Sequence, residues 1–392
     1  MYKIFLLSLS VFTLTISCPG MGDVTWTLPK FSGWGIGVNI GNTFDSLNTS
    51  GIAGETGWGN PYVSRDYIRA LKSHGFKTVR LPVSWSDYTD DAPNYTIDSA
   101  WMDRVAEVVN WILAEDMYCI LNLHHDGGGE INKDGYINPK YWIKQISIPE
   151  KEDEITRRFA KVWEQIALRF RNSSDKLILE AANEIGFDNL WNRYQDGQEA
   201  AKAEAYRLLN KLNQTFVDAV RATGSGNENR SLLIVGYWTD ITNTCDPLFK
   251  MPEDSAKDKL ILSVHYYTPW NFCGGNSIIW GSSSNINELN RLFKMLNDNF
   301  ISKGIPIILG EYGVDIQSRS GGNTFVKEPE SRVKWMTEVT QICIDMGICP
   351  VLWDTGMRSN NLGMADIQRE APFAISKDLQ VTLEGLTLPR KE

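Results

Sequence analysis

The chain has 392 residues, 42% hydrophobic and 22% charged, an ordinary globular composition that excludes a disordered or fibrous protein. Its 39 Lys and Arg are outnumbered by 48 Asp and Glu, and the net charge of −9 with no basic stripe excludes nucleic acid as a partner. Aromatic residues are 11% of the chain and include 14 Trp, which points to flat apolar surfaces offered to a ligand as well as core.

The N-terminus reads as a separate segment. Lys3 gives a minimal positive start, residues 4–16 form an apolar run, and Ser17-Cys18 offers a small-residue exit. A secretory signal over residues 1–17 is expected, too short for a transmembrane span. The alternative is a lipid anchor at Cys18, for which Thr15 and Ile16 make a poor recognition box. No other long apolar run occurs, so no transmembrane segment is expected, and the mature chain is read as a monomer outside the cytoplasm. Past residue 23 there is no linker, low-complexity tract or charge block, so residues 18–392 are expected to form one domain. Among six Cys, Cys119 lies in an apolar run and reads as a buried thiol. Cys245 and Cys273 lie in loop-like segments on either side of one predicted strand and are the expected disulfide pair.

What recurs along the chain is a strand-like apolar run followed by an amphipathic helical stretch. The runs begin near Gly35, Thr78, Tyr118, Leu177, Leu232, Leu260, Ile307 and Pro350. Helical spacing of apolar residues predicts helices over 65–73, 101–115, 154–170, 200–222, 287–302 and 332–345. Asp98 and Ser331 read as N-caps, and Gly75, Gly304 and Gly347 as C-terminal stops. Eight such runs predict an α/β chain folded as a (β/α)8 TIM barrel. A doubly wound open sheet would need a phosphate-binding glycine turn after its first strand. Gly33-Trp34-Gly35-Ile36-Gly37 lies before and within that run instead.

In such barrels chemistry gathers at the C-terminal ends of the strands. There the sequence places Arg80 inside the second run, His124, His125 and Asp126 after the third, and Asn183 and Glu184 after the fourth. His265, Tyr266 and Tyr267 follow the sixth run, Glu311 and Tyr312 the seventh, and Trp353 and Asp354 the eighth. Alone, each of these reads as a loop start or cap. Six together, with three of the four His among them, converge on one rim. The fourth, His74, sits late in a predicted helix and reads as structural.

Adjacent residues on a strand face opposite ways, so His124 and His125 are not expected to share a metal ion, and no His-x-His pair or CxxC is present. No metal or cofactor is expected. Serine-based hydrolysis would need a Gly-x-Ser-x-Gly elbow, which is missing. Glu184 and Glu311, on opposed strands, remain. Two facing carboxylates are what cleavage of a glycosidic bond requires, one protonating the leaving oxygen while the other attacks or activates water. Arg80 beside a carboxylate would keep it ionised, which suits a nucleophile. Trp353 offers an apolar platform for a sugar ring.

With these residues the chain closely resembles glycoside hydrolase family five, in particular the endoglucanase and xyloglucanase-like subfamily four. The match runs from residues 33–42 to 365–370 and includes Glu55-Thr56-Gly57-Trp58-Gly59-Asn60-Pro61, Val79-Arg80-Leu81-Pro82-Val83-Ser84-Trp85, Asn122-Leu123-His124-His125, Asn183-Glu184, Ser263-Val264-His265-Tyr266-Tyr267 and Gly310-Glu311-Tyr312-Gly313. The resemblance implies that Glu184 is the acid/base and Glu311 the nucleophile of a retaining mechanism. It also implies that Arg80 holds Glu311, that Tyr267 hydrogen-bonds it, and that His265 cycles the proton of Glu184. Asn183 would bind the 2-hydroxyl of the sugar at the cleavage point, His124 would position that sugar, and Trp353 would form its floor. Asn42, Trp58, His125 and Trp270 are substrate-binding candidates from matching motifs and rim position, each with a packing alternative. Trp238 and Trp280 stand between cleft and rim packing.

The implied activity is endo-hydrolysis of β-1,4-glucosidic bonds in cellulose-type polysaccharides. Xyloglucan and mixed-linkage glucan are alternative substrates of the same centre. A rival of another class is a non-catalytic carbohydrate-binding barrel, against which the presence of both Glu184 and Glu311 speaks. Asn48, Asn94, Asn172, Asn213 and Asn229 lie in Asn-x-Ser/Thr sequons.

Overall fold

Alternation of side chains along a strand decides what a barrel holds inside. The computed structural model describes residues 14–15, 25–26, 33–127, 139–357 and 363–387. The signal expected over 1–17 falls almost wholly outside them, as does Cys18. Eight strands close a parallel barrel: β1 (Gly37–Asn39), β2 (Thr78–Leu81), β3 (Tyr118–Asn122), β4 (Leu177–Glu180), β5 (Leu232–Asp240), β6 (Leu260–Tyr266), β7 (Ile307–Tyr312) and β8 (Cys349–Leu352), with β8 pairing β1. The strands stand where the apolar runs predicted them.

Ile120, Ile178, Leu233, Ile261, Ile308 and Val351 pack with Trp34 and Cys349 as one buried apolar cluster inside the barrel. Two residues further along β3, β4 and β6, and so on the same face, the side chains become Asn122, Glu180 and Ser263, and Arg80, whose register partner is Ile120, reaches this layer from β2 with its guanidinium. All four are fully buried. The barrel is thus apolar in its lower layer and polar in its upper one. The other faces, including Val79, Leu81, Cys119, Leu121, Leu177 and Leu179, belong to the larger core beneath the helices.

Every strand is followed by a helix: α1 (Arg65–Ser73), α2 (Ser99–Ala114), α3 (Glu152–Phe170), α4 (Glu199–Arg221), a single turn at Ile241–Thr244 after β5, α5 (Ser283–Asn299), α6 (Pro329–Asp345) and α7 (Lys377–Gly385). Asp98 caps α2 as expected, accepting from Trp101 N at 2.8 Å. Gly75, Gly304 and Gly347 all carry positive φ at helix stops. Ser331 is not a cap. Pro329, whose missing N–H suits the first helical position, starts α6 three residues before the expected 332. Ser331 then lies in the first turn and donates to Trp280 O.

Three register shifts lie toward the C-terminal ends of the strands, between β5 and β6, β6 and β7, and β7 and β8. In the second, Val264 pairs with Leu309 but His265 pairs with Glu311, so Gly310 is skipped and two polar side chains are set opposite each other.

The expected disulfide is not formed. Cys245 and Cys273 are both free thiols, because each side chain packs in different surroundings. Cys245 lies near Asn299 and Lys303 at the end of α5. Cys273 ends a one-turn helix, Trp270–Cys273, and is buried beside Asp315 and Lys327. The sequon at Asn213 is also closed to modification, since that side chain is buried and donates to Val235 O at 2.9 Å. No described helix is long and apolar enough to cross a membrane.

At the other end of the barrel Arg230, buried, closes the C-terminus of α3. It donates to Phe170 O, Ser173 O, Ser174 O, Leu177 O and Asn227 Oδ1. Arg230→Met leaves these carbonyls unpaired and is expected to cost about 2–4 kcal/mol. A lower urea midpoint with unchanged activity per folded molecule is the outcome to measure.

Candidate active site

The polar layer converges on Arg80. Its Nε donates to Glu180 Oε2 at 2.7 Å, and Nη1 to Asn39 Oδ1 at 3.0 Å and Glu311 Oε1 at 2.8 Å. Nη2 donates to Asn183 Oδ1 at 2.8 Å. The second oxygen of Glu180 accepts from Ser263 Oγ at 2.8 Å. Burial alone would disfavour the charged guanidinium, but Glu180 and Glu311 outweigh it and hold its pKa above the ordinary value.

Glu311, on β7, also accepts from Tyr267 Oη at 2.9 Å, so each of its oxygens has a donor and its side chain is 7% exposed. Glu184 lies four residues beyond β4, in the irregular segment that leaves the barrel. Its Oε1 lies 2.8 Å from His265 Nδ1, and its side chain is 34% exposed. His265 Nδ1 is 3.6 Å from Glu311 Oε2. One oxygen of each carboxylate and a His265 nitrogen lie within 4.8 Å of one another.

The two carboxylates titrate together. Burial raises Glu311 above the ordinary value, the charge of Glu184 adding to it and His265 and Arg80 opposing. Burial acts the same way on Glu184, but the hydrogen bond and charge of His265, with the charge of Arg80, bring it below. Burial also pushes the Tyr267 phenol well up, so it remains a donor, and drives His124 well down, so that ring is neutral.

Around this centre runs a wall of rings. Trp353 stacks on His124 with centroids 5.6 Å apart and planes 6° apart. A Cβ at Gly41 would lie 2.8 Å from the Trp353 indole, so the glycine is what lets the ring lie against β1. His124 meets His125 edge-on at 4.6 Å, and His125 meets Trp58 at 5.5 Å. The two histidines, expected to face opposite ways, therefore line the same wall. β3 ends at Asn122, and strand alternation no longer governs the turn that carries them. Trp270, 63% exposed, stands edge-on to Tyr267 at 6.1 Å.

Asn42 is fixed through its backbone. It has a φ of 57°, its N–H donates to Asp45 Oδ2, and its carbonyl accepts from Asn60 Nδ2 at 2.8 Å. Trp280 is buried. Trp238 is covered by Lys144 at 4.4 Å and Arg193 at 5.3 Å, with its N–H bonded to Asp188. Both are packing residues.

Asp45, His124 and His125 also bring ligand-type atoms within 4.8 Å of one another. Both Asp45 oxygens are already taken by the Thr43 and Asn42 N–H groups. Sequence reading gave no role to Glu180, Asn39 or Ser263, the last two of which lie within the matching motifs. The signal was available, since each is a polar residue inside an apolar strand, the pattern that exposed Arg80.

A closed (β/α)8 barrel whose rim brings two carboxylates within a few ångströms, between walls of indole and imidazole rings, defines a glycoside hydrolase. Residues 39–359 match the family model for cellulase, glycosyl hydrolase family 5. The chain belongs to that family and is a glycoside hydrolase of endoglucanase type. It is 33% identical to endoglucanase A of Paenibacillus barcinonensis, over 83% of this chain and 82% of that one. Among solved structures it is similar to a subfamily-four broad-specificity endoglucanase from Ruminococcus champanellensis with bound cellotriose, at a TM-score of 0.75 and 31% identity over 90% of this chain and 95% of that one. It is also similar to a family 5 xyloglucanase from Paenibacillus pabuli, at a TM-score of 0.77 and 31% identity over 91% of this chain and 99% of that one.

Glu180→Ala leaves Arg80 one carboxylate short in the barrel interior, which should cost about 3–5 kcal/mol. Release of the guanidinium from its place is expected to lower turnover by about 100-fold. Urea unfolding and reducing-sugar release measure the two effects separately.

Proposed function

We propose that this chain is a secreted, retaining endo-β-1,4-glucanase in which Glu311 attacks and Glu184 serves as acid and base. The observation that carries the assignment is the asymmetry of the two carboxylates. Glu311 is buried with a donor on each oxygen, Arg80 on one and Tyr267 on the other, and these bonds favour the anion against the burial that raises its pKa. Glu184 is a third exposed and bonded to a histidine, which suits a group that must exchange protons with substrate and water. Their close approach, within 4.8 Å oxygen to oxygen, supports direct attack over an intervening water, for which carboxyl groups stand ~6.5–9.5 Å apart.

In the first step a Glu311 oxygen bonds to the anomeric carbon while the bond to the leaving oxygen breaks and Glu184 gives that oxygen its proton. In the second, the Glu184 carboxylate takes a proton from water, the water oxygen bonds to the same carbon, and Glu311 departs. A glucan lying over the exposed part of Glu184 removes its remaining water. Desolvation raises a carboxyl's pKa, which loads Glu184 with the proton it must donate. Arg80 fixes the Asn183 amide by its oxygen, leaving the NH2 to meet the sugar's 2-hydroxyl.

Trp353 with His124 supplies a ring platform, and Trp58 and Trp270 extend the aromatic surface beyond it, as an enzyme cutting within a chain needs. The similar proteins named as an endoglucanase and a xyloglucanase support both unbranched and branched β-glucan as substrate. Reducing-sugar release from carboxymethylcellulose, lichenan and xyloglucan, measured side by side, ranks them. Release from none of the three would refute the reading. Secretion rests on the leading apolar run and is tested by finding the processed chain in the medium.

The roles are tested with azide and an activated glycoside. Glu311→Ala should let azide enter from the vacated face and give an α-glycosyl azide. Glu184→Ala should still form the glycosyl-enzyme, which azide opens to the β-glycosyl azide. Swapped anomers would overturn the assignment even if both residues prove essential.

Tyr267→Phe removes a hydrogen bond that lowers the Glu311 pKa. That pKa should rise further. Activity requires ionised Glu311, so the acid limb of the kcat/KM profile should move to higher pH. An unmoved limb would show that Tyr267 does not tune the nucleophile.

A further inference from the structure

Trp270 is the most exposed ring near the centre, and the element that carries it is short. It stands on the single turn Trp270–Cys273, too short to be stable alone. Gly274 and Gly275 follow it. The indole lies against Gly274, where a Cβ would come within 2.6 Å of the ring. The segment's own turn bonds, Cys273 N to Pro269 O and Gly275 N to Trp270 O among them, are joined by bonds from elsewhere in the chain. Lys327 Nζ donates to Gly275 O at 2.6 Å, to Ser277 O at 2.9 Å and to Ser318 Oγ at 3.2 Å. Ser318 Oγ in turn donates to Gly275 O. Asp315 N donates to Cys273 O at 2.8 Å.

Lys327 and Ser318 belong to an insertion between β7 and α6, a hairpin of Gln317–Ser320 and Asn323–Val326. The base of the hairpin is bonded on its other side to the segment that follows β8. Ile316 N donates to Gly363 O and Gly363 N to Gln317 O. The hairpin therefore bridges the segment bearing Trp270 and the one that begins at Trp353. Lys327 is 2% exposed, and water could satisfy surface carbonyls at no such cost. A buried ammonium with all three protons placed does what water cannot, which is to hold those carbonyls in one arrangement.

We infer that Lys327 is a positioning residue for substrate recognition, setting the Trp270 segment before a glucan arrives so that binding a long chain does not have to order it. This rests on the reading of Trp270 as a sugar platform. It predicts an effect on KM for polymer and not on the chemical step.

The test is a double-mutant cycle on soluble β-glucan with Lys327→Met and Trp270→Ala. Each single variant should raise KM by about three- to tenfold with kcat unchanged, the size of one aromatic contact. The double variant should be no worse than Trp270→Ala, because the lysine acts through the ring. Lys327→Arg, which keeps the charge and donors, should recover most of the affinity. If Trp270→Ala raises KM and Lys327→Met does not, or if the two effects add, the inference fails while the platform reading stands. If Trp270→Ala leaves KM unchanged, the platform reading fails and takes the inference with it. Should Lys327→Met not fold, Ser318→Ala, which removes the hydroxyl shared by Lys327 and Gly275, is read by the same KM criterion.

Discussion

A guanidinium sealed inside a barrel, away from water, is the constraint to which the upper half of this molecule answers. Arg80 is fully buried, and its charge is tolerable only because Glu180 and Glu311 share it. Glu180 needs Ser263 for its second oxygen, and Asn39 and Asn183 accept two more of the guanidinium protons. Each partner comes from a different strand or strand end, so the hydrogen bonds fix how β1, β2, β4, β6 and β7 sit at the rim. A hydrophobic plug would fill the same volume at less desolvation cost. It would not orient a carboxylate and an amide at the floor of a cleft.

The same charge separates two chemically identical side chains. Glu311 and Glu184 have the same ordinary pKa and stand within reach of each other's field. What distinguishes them is enclosure: one is locked between an arginine and a phenol, the other faces the cleft with a histidine at its back. The skipped residue Gly310 is the backbone device behind this, since it brings His265 level with Glu311. On the proposed reading a sugar chain in the cleft would complete the separation, because Glu184 has exposed surface to cover and Glu311 has almost none.

Much of this was legible in the sequence, for a physical reason. A barrel strand must be apolar until it reaches the rim, so the residue at which an apolar run breaks is also where chemistry is placed. His124, Asn183, Glu184, His265, Glu311 and Trp353 were found that way. Glu180 and Asn39 escaped because they sit within runs, one layer below the break. The histidine pair was misjudged because strand alternation was extended past Asn122, where β3 has ended. The Cys245–Cys273 pairing failed for a different reason. Loop-like flanks and a shared strand say nothing about where two thiols point, and each packs against its own neighbours. The start of α6 was misplaced by three residues because Pro329, a better first helical residue than Ser331 is a cap, was passed over. The hairpin between β7 and α6 left no periodic signal, since its strands are short and mostly exposed.

Chemistry and recognition are held by different means in this fold. The reacting groups stand on or beside strands, whose ladder bonds set their positions. The rings that would meet the glucan stand on irregular segments, and each segment is anchored by a buried charge. Glu55, bonded to Val63 N and paired with Arg104, secures the turn before Trp58. Asp354, which burial pushes up to about 6, accepts from Gly356, Asp366 and Ile367 N–H groups and from Arg369, securing the segment that begins at Trp353. Lys327 does the same beside Trp270. An apolar contact is non-directional and lets an indole slide, whereas a charged group bonded to several backbone groups holds a segment in one arrangement. Burying such charges costs stability, and the return is a ring surface already shaped when substrate arrives. Because each anchor serves one segment, recognition can vary ring by ring while Arg80 and the two carboxylates stay where they are. That independence is the physical basis on which endoglucanases and xyloglucanases of one family can share a centre and differ in the chains they cut.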